Sequence, residues 1–238
     1  MSIVIEDLFP EVGNLFGDTG NMRYLVKSLP EAEYIRTPLN GRPAFAGRDV
    51  NMIYMGPMTE SSQLEVMKRL LPFKERINEI IDNGTVFLMT GNAFEIFGNY
   101  IDDSDNGKTE CMGLLDFTVK RNMMKRKSGL VLGVYEDIEI TGFHARFTEV
   151  FPGENTQSFI EVIKGEGMNP KSSKEGIVKN NFIGTSVIGP LLVLNPLFTK
   201  KLIKKLCGKE RTLAFEDDAM KAYKARLEDF KDKKVGIH

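Results

Sequence analysis

The sequence predicts a three-layer α/β protein: a mostly parallel central sheet with helices on both faces, and additional antiparallel strands in its second half. Three observations carry this. Between Ile3 and Gly98, short apolar runs alternate with segments of helical periodicity, the rhythm of a parallel sheet. TVFLM, residues 85 to 89, is nearly continuously apolar, as suits a strand covered on both faces. Beyond residue 110 the apolar segments become short, strand-like and closely spaced.

Taken in order, IVIEDLF (3 to 9) has the alternation of a strand, and Gly13, Gly17 and Gly20 follow it as a turn region. Asp18 or Thr19 is placed to cap a helix through NMRYLVKSL that ends near Pro30. EYIRT (33 to 37) and VNMIYMG (50 to 56) are the second and third strands. After Thr59, the residues Leu64, Met67 and Leu71 fall at helical spacing, and Ile77, Ile80 and Ile81 resume the apolar face beyond Pro72. Asn83-Gly84 stops that helix. TVFLM then leads through a turn, Thr90-Gly91-Asn92-Ala93, into what reads as the first turns of a helix. The C-terminal ends of such strands are where ligands bind in open α/β sheets.

DDSDNGKTE (102 to 110) reads as a polar loop. Its carboxylates Asp102, Asp103, Asp105 and Glu110 do not have the spacing of a calcium loop, so no metal is expected there. GLLDFTV, GLVLGVY, IEITGF, FIEVI and EGIVKN follow as strands, FIGTSVIGP as another buried strand ending in a Gly-Pro turn, and PLFTKKLIKKL as a helix. Met220, Tyr223, Leu227 and Phe230 give a last amphipathic helix before a lysine-rich tail, KDKK at 231 to 234. No internal repeat or long linker interrupts the chain, and one domain spanning 1–238 is expected.

Composition narrows the function. With 32 Lys plus Arg against 33 Asp plus Glu, nothing points to nucleic acid or an anionic membrane. Residues 180 to 199 carry no formal charge and approach the roughly 20 residues of a membrane span, but Gly184, Gly189, Pro190 and Pro196 break the run, so no span is expected. The two cysteines, Cys111 and Cys207, offer neither a disulfide framework nor a metal-ligand spacing, and the protein is expected to be cytoplasmic. His144 and His238 are the only histidines, and a Cys111–His144 pair has no sequence signature.

GDTGNMRYL at 17 to 25, IYMGPMTESSQ at 53 to 63, VFLMTGNAFEIFG at 86 to 98, MGLLDFTV at 112 to 119, ITGFHAR at 140 to 146 and EGIVKNNFIGTSVIGPLLVLNP at 175 to 196 occur together and in order. In this combination the chain resembles class I glutamine amidotransferase domains of the CobB/CobQ-like type. Among them it is most similar to the glutaminase subunits that pair with a Mur-ligase-like subunit to amidate the cell-wall precursor lipid II. The resemblance implies no cofactor. It does imply a glutamine-like small molecule as ligand and a cysteine at the elbow, deprotonated by histidine. A helix N-terminus and an adjacent histidine make such a thiolate available.

Aligned on Ile96-Phe97-Gly98, the family's elbow pattern puts Gly91 at the cysteine position, Asn92 and Ala93 at the small positions, Phe94 at the aromatic and Glu95 at the glutamine. The family's late histidine before Gly-Pro becomes Ile188. Glycine has no nucleophile and isoleucine accepts no proton, so the expected catalytic set is empty. Gly56 falls in the turn that helps form the family's oxyanion site. Arg126, in MKRKSG, falls near an arginine of glutamine handling, or is a solvated surface residue. The ligand-pocket candidates are therefore Gly56, Thr90, Gly91, Asn92, Glu95, Arg126 and Ile188. Thr90 as a nucleophile lacks a base, and Glu95 is either a base or support for the helix start. Three functions stay open: a non-catalytic binding or regulatory subunit, an amidotransferase or amidohydrolase with a non-standard residue set, and a small-ligand sensor.

Overall fold

The computed structural model describes residues 3–232. Lys233 and Lys234 of the basic tail, and His238, lie outside the described residues. The first half alternates strand and helix: Val4–Leu8 (β1), Gly20–Ser28 (α1), Glu33–Thr37 (β2), Met52–Met55 (β3), Glu60–Leu70 (α2), Lys74–Asp82 (α3) and Val86–Thr90 (β4). The second half begins with Tyr100–Asp103 (β5), Gly107–Glu110 (β6), Phe117–Arg121 (β7), Lys127–Tyr135 (β8), Ile138–Arg146 (β9), Thr148–Pro152 (β10) and Ile160–Lys164 (β11). It closes with Lys174–Glu175 (β12), Ile177–Lys179 (β13), Phe182–Thr185 (β14), Leu191–Leu194 (α4), Pro196–Cys207 (α5) and Glu216–Lys231 (α6).

The central sheet has the order β13-β14-β4-β3-β1-β2, and all its pairings are parallel except the edge hairpin of β13 with β14. Alternation along the strands sends side chains into two separate cores. Phe87 and Met89 of β4 join Val66 and Leu70 of α2 and Ile77 and Ile81 of α3 on one face. Val86 and Leu88 join Met22 and Leu25 of α1 and Phe198 and Leu202 of α5 on the other. Each face buries a strip of β4, which is why its sequence shows no polar alternation.

Two smaller sheets complete the layers. The sheet β10-β7-β5-β6 contributes Ile101, Phe117, Val119 and Val150 to the first core. The antiparallel sheet β12-β11-β8-β9 contributes Val131, Ile140 and Ile160 to the second. The run 180 to 199 divides into β14, the Gly189-Pro190 turn, α4 and the start of α5, and no helix among the described residues is long and apolar enough to cross a membrane.

Several local expectations need correction. DDSDNGKTE forms most of a hairpin, β5 with β6, in which the Asp103 carboxylate accepts from the backbone amides of Asp105 (2.9 Å) and Asn106 (3.2 Å) to build the turn. β10 was not anticipated; it pairs with β7 and buries Val150 in the first core. Thr19 occupies the N-cap of α1 without a side-chain capping bond, while Asp18 is turned to another use described below. The segment after Thr90 is a run of 3₁₀ turns, Gly91–Phe97, rather than the start of an α-helix. On α6 only Tyr223 of the four apolar positions is fully buried, its hydroxyl donating to the Glu139 carbonyl at 2.7 Å.

Candidate functional site

Four parallel strands end at one edge of the central sheet, and the segments that follow them converge. Leu15 and Phe16 come from the loop after β1, Pro57 to Glu60 from the loop after β3, Gly91, Asn92 and Glu95 from the turn after β4, and Ser186 and Ile188 from the segment after β14. Together with Arg126, the end of β9 and Thr148 they line a cavity of about 110 Å³. This is the edge that α/β topology assigns to ligands.

The elbow is fixed from below by a carboxylate. Asp18 Oδ2 accepts from the Tyr54 hydroxyl at 2.5 Å and from the Thr90 hydroxyl, and Tyr54 also accepts from Asn21 Nδ2 at 3.1 Å. Asn21 Oδ1 in turn accepts from the Leu192 amide at 2.7 Å, so the turn after β1, the strands β3 and β4 and the late Gly-Pro segment share one buried network. Burial pushes the Asp18 carboxyl up, and the donors from Thr90 and Tyr54 oppose that shift.

From the side, Asn92 clamps the elbow to the loop after β3: its amide donates to the Met58 carbonyl at 2.8 Å and its oxygen accepts from the Met58 amide at 3.0 Å. Gln63 of α2 donates to the Asn92 carbonyl at 2.6 Å and to Glu95 Oε2 at 2.9 Å. Glu95 is buried, receives the Thr148 hydroxyl on its other oxygen at 2.6 Å, and lies 3.5 Å from Arg121 Nη2. Burial raises its pKa, while Arg121, Thr148 and Gln63 favour the charged form. Glu95 thus serves as a buried acceptor rather than as support for a helix start.

Gly91 itself lies at φ +61°, in the left-handed region that glycine adopts without strain. A Cβ there would lie 3.1 Å from Cα and 3.2 Å from Cγ of Pro57, with Pro57 Cβ closer still. Ile188 is buried and lines the same cavity, its backbone paired with Phe143 of β9. Beside it, Ser186 accepts from Arg146 Nη1 at 2.9 Å and donates to Glu175 Oε1 at 2.8 Å; Glu175 also receives the Ser186 amide at 2.8 Å and the Thr185 hydroxyl at 2.6 Å. The serine hydroxyl and this carboxylate are occupied by one another and by their neighbours.

Of the residues singled out by sequence, Gly91, Asn92, Glu95, Arg126 and Ile188 line the cavity. Gly56 and Thr90 do not: both are buried behind it, Thr90 bonded to Asp18, and Gly56 pressed against Gly13, where a Cβ would meet the Gly13 carbonyl and lie 3.1 Å from the Tyr54 hydroxyl. Arg126 is exposed at the rim. Cys111 and His144 lie outside the lining, and no hydrogen bond joins them among the described residues. Burial and then the nearby Glu95 charge push the Cys111 thiol up to about 12, and its S–H faces the Thr109 carbonyl at 3.7 Å. Burial, Arg146 and Lys127 hold His144 down at about 4. Pro57, Ser186 and Arg146 were not anticipated as site residues, although each falls within a motif already quoted.

The pattern of the CobB/CobQ-like glutamine amidotransferase domain matches residues 14–193, which contain every strand-end loop of this cavity. The chain belongs to the CobB/CobQ-like glutamine amidotransferase family. Two relatives carry the name lipid II isoglutaminyl synthase (glutamine-hydrolyzing) subunit GatD. The one from Staphylococcus aureus is 24% identical over 200 residues, covering 83% of this chain and 81% of the relative. The one from Streptococcus pneumoniae is 24% identical over 239 residues, covering 96% and 92%. Among solved structures, a glutamine amidotransferase superposes with a TM-score of 0.56 at 13% identity, over 86% of this chain and 99% of the other. A glutamine amidotransferase from Thermotoga maritima superposes with a TM-score of 0.54 at 10% identity, over 94% and 93%. The three-layer, mostly parallel architecture of this CobB/CobQ-like chain is that of glutamine amidotransferases, with the extra antiparallel sheets described above.

Proposed function

We propose that this chain is a glutamine amidotransferase-like subunit that has lost glutaminase chemistry and acts by binding, within an assembly that includes a Mur-ligase-like partner and modifies a cell-wall precursor. The observation that carries the first part is at the elbow. Gly91, aligned with the family's cysteine, offers no nucleophile, and Pro57 fills the volume a side chain would need. Ile188, aligned with the family's histidine, offers no base in the same cavity. Loss of either member of a nucleophile–base pair removes most of the chemical rate.

The similarity to the two GatD subunits supports the cell-wall link and the expectation of a partner. What remains in the cavity suits recognition of a small polar molecule of the glutamine type. Arg126 at the rim can meet a carboxylate. The lining otherwise mixes apolar walls from Phe16, Pro57 and Ile188 with the polar residues Thr59, Glu60, Glu95, Arg146 and Thr148, while the Asn92 and Ser186 side chains are held by Met58 and by Arg146 and Glu175.

The test is ammonia release from glutamine by the purified chain, alone and with any co-purifying ligase, in a preparation free of contaminating glutaminase. No turnover is expected in either case. Turnover that disappears on substitution of Glu95 or Thr90 would establish an enzyme with a non-standard residue set instead.

A further inference from the structure

Asn-Gly dipeptides occur at Asn40-Gly41, Asn83-Gly84 and Asn106-Gly107, and all three asparagines are exposed. In such a pair the glycine's backbone nitrogen can reach the asparagine side-chain carbonyl, because no Cβ obstructs the closing ring. Access to solvent does not distinguish the three; the freedom of the glycine amide does. We propose that Asn106 is a self-modifying site, which loses its side-chain nitrogen as ammonia through a cyclic imide with Gly107 and becomes aspartate or isoaspartate.

The other two pairs are held in place. Asn83-Gly84 caps α3 where it joins β4: the Asn83 amide donates to the Glu79 carbonyl at 2.9 Å, the Gly84 amide to Ile81 at 3.2 Å and the Thr85 amide to Ile80 at 2.9 Å. The Gly84 carbonyl also accepts from Asn181 Nδ2. Ile80 and Ile81 belong to the first core, so freeing the Gly84 amide unravels a packed helix end. In the loop after β2, the Gly41 amide donates to the Pro38 carbonyl at 2.7 Å, and a Cβ on Gly41 would stand 2.9 Å from Pro38 Cδ. Pro38 and Pro43, each with φ fixed by its ring, bracket that turn, and Glu6 ties the residues beyond it by accepting from the Ala44 and Phe45 amides at 2.6 and 3.0 Å.

Asn106-Gly107 has less to hold it. It ends the turn between β5 and β6, and Gly107 belongs to the last rung of that hairpin, opposite Asp103. β6 is the outer strand of its sheet, with Gly107, Lys108 and Glu110 exposed. Gly107 lies at φ +75°, and nothing stands within 4 Å of where its Cβ would be. The turn itself is tied by the Asp103 carboxylate, which accepts from the Asn106 amide at 3.2 Å and from Asn106 Nδ2 at 3.4 Å. Opening one rung at the tip of an outer hairpin costs far less than opening a helix end in the core.

The reaction needs water alone. The Gly107 nitrogen bonds to Asn106 Cγ, the Cγ–Nδ2 bond breaks, and the proton from the Gly107 amide leaves on the ammonia. Water then opens the imide at Cγ to give aspartate, or at the backbone carbonyl to give isoaspartate. Either product replaces the Nδ2 donor facing Asp103 with a fourth carboxylate beside Asp102, Asp103 and Asp105, and isoaspartate adds a methylene to the backbone of a tight turn. Like charges at such spacing open the hairpin tip further. The site is independent of any ligand of the elbow cavity, and the ammonia it releases, at most one per chain, appears with or without glutamine.

The whole chain, incubated in mildly alkaline buffer without glutamine, tests the proposal. Trypsin yields the peptides 37–48, since Arg42 precedes proline, and 77–108, which carry all three pairs. Fragment masses locate the exchange of ammonia for water, and an isoaspartyl methyltransferase reports isoaspartate. Asn106 is expected to convert at least about tenfold faster than Asn83 and Asn40 in the folded chain, with isoaspartate among its products. In urea the three rates should converge, since only the fold separates them. Ammonia should match the converted fraction, and Asn106→Gln, whose longer side chain closes a six-membered ring poorly, should abolish most of it. Conversion of Asn106 no faster than that of Asn83 or Asn40 in the folded chain overturns the proposal. So does a product without isoaspartate, or a preference for Asn106 that persists undiminished in urea.

Discussion

Pro57 occupies the space that a side chain on Gly91 would fill, its Cα 3.1 Å and its Cγ 3.2 Å from where a Cβ would stand. The elbow is therefore closed by a neighbour as well as emptied of its nucleophile. Gly91→Cys should release no ammonia from glutamine, and neither should Gly91→Cys/Ile188→His. The single variant should lose about 1–3 kcal/mol of stability in urea denaturation, from overpacking and from the left-handed φ. Pro57→Gly in the same chain should recover part of that loss relative to the sum of the single effects, a coupling that only direct contact explains. A fully stable, active Gly91→Cys would contradict the role given to Pro57.

The Glu95–Arg121 pair is buried on both sides, and truncating Glu95 leaves Arg121 with Asp103 alone, at 3.7 Å, and takes the acceptor from Gln63 and Thr148. Glu95→Ala should cost about 3–5 kcal/mol. Glu95→Gln, which keeps an acceptor for Thr148, should cost about 1–3 kcal/mol. The two urea midpoints, measured under one condition, check the order.

His144 sets a pH dependence. Its ordinary pKa of 6.5 falls to about 4 in the fold, so across that interval the unfolded chain binds the proton and the folded chain does not. Stability is therefore lost as pH falls from about 6.5 towards 4 and regained as it rises, by an amount of the order of 3 kcal/mol. Asp7 acts with the opposite sign: burial raises it from 3.8 to about 6, so its contribution declines as pH rises through nearly the same window. The diagnostic is the difference between the native chain and His144→Gln. The variant's stability should rise less between pH 4 and 6.5, read from urea midpoints at several pH values.

Arg126 separates binding from folding. It is exposed at the rim of the elbow cavity, so Arg126→Ala should change stability by no more than about 0.5 kcal/mol. Any upward thermal shift that glutamine gives the native chain should shrink in the variant. An unchanged shift would place the ligand's carboxylate elsewhere.

Much of the fold was legible in local patterns. EYIRT was read as a strand over the residues that form β2, and TVFLM lies one residue from β4, because a buried parallel strand needs apolar side chains on both faces. The hairpin β5 with β6 was missed for the opposite reason. GKTE has no apolar alternation, and cross-strand pairing with residues that look like loop decides its state. The Asp18 cap failed because Tyr54 and Thr90, strands away in sequence, compete for the same carboxylate and win it in a buried setting.

By itself the sequence determined the α/β layering, the elbow after β4, and the residue types at Gly91 and Ile188, since periodicity and identity are local properties. Only the tertiary structure decided that Gly56 and Thr90 stand behind the cavity, that Pro57 fills the volume beside Gly91, and that Arg121 is drawn between Gln63, Glu95 and Asp103 with one donor left over. The physical reason is that excluded volume and the pairing of buried charges depend on which distant segments meet at the sheet's edge. No window of neighbouring residues contains that information.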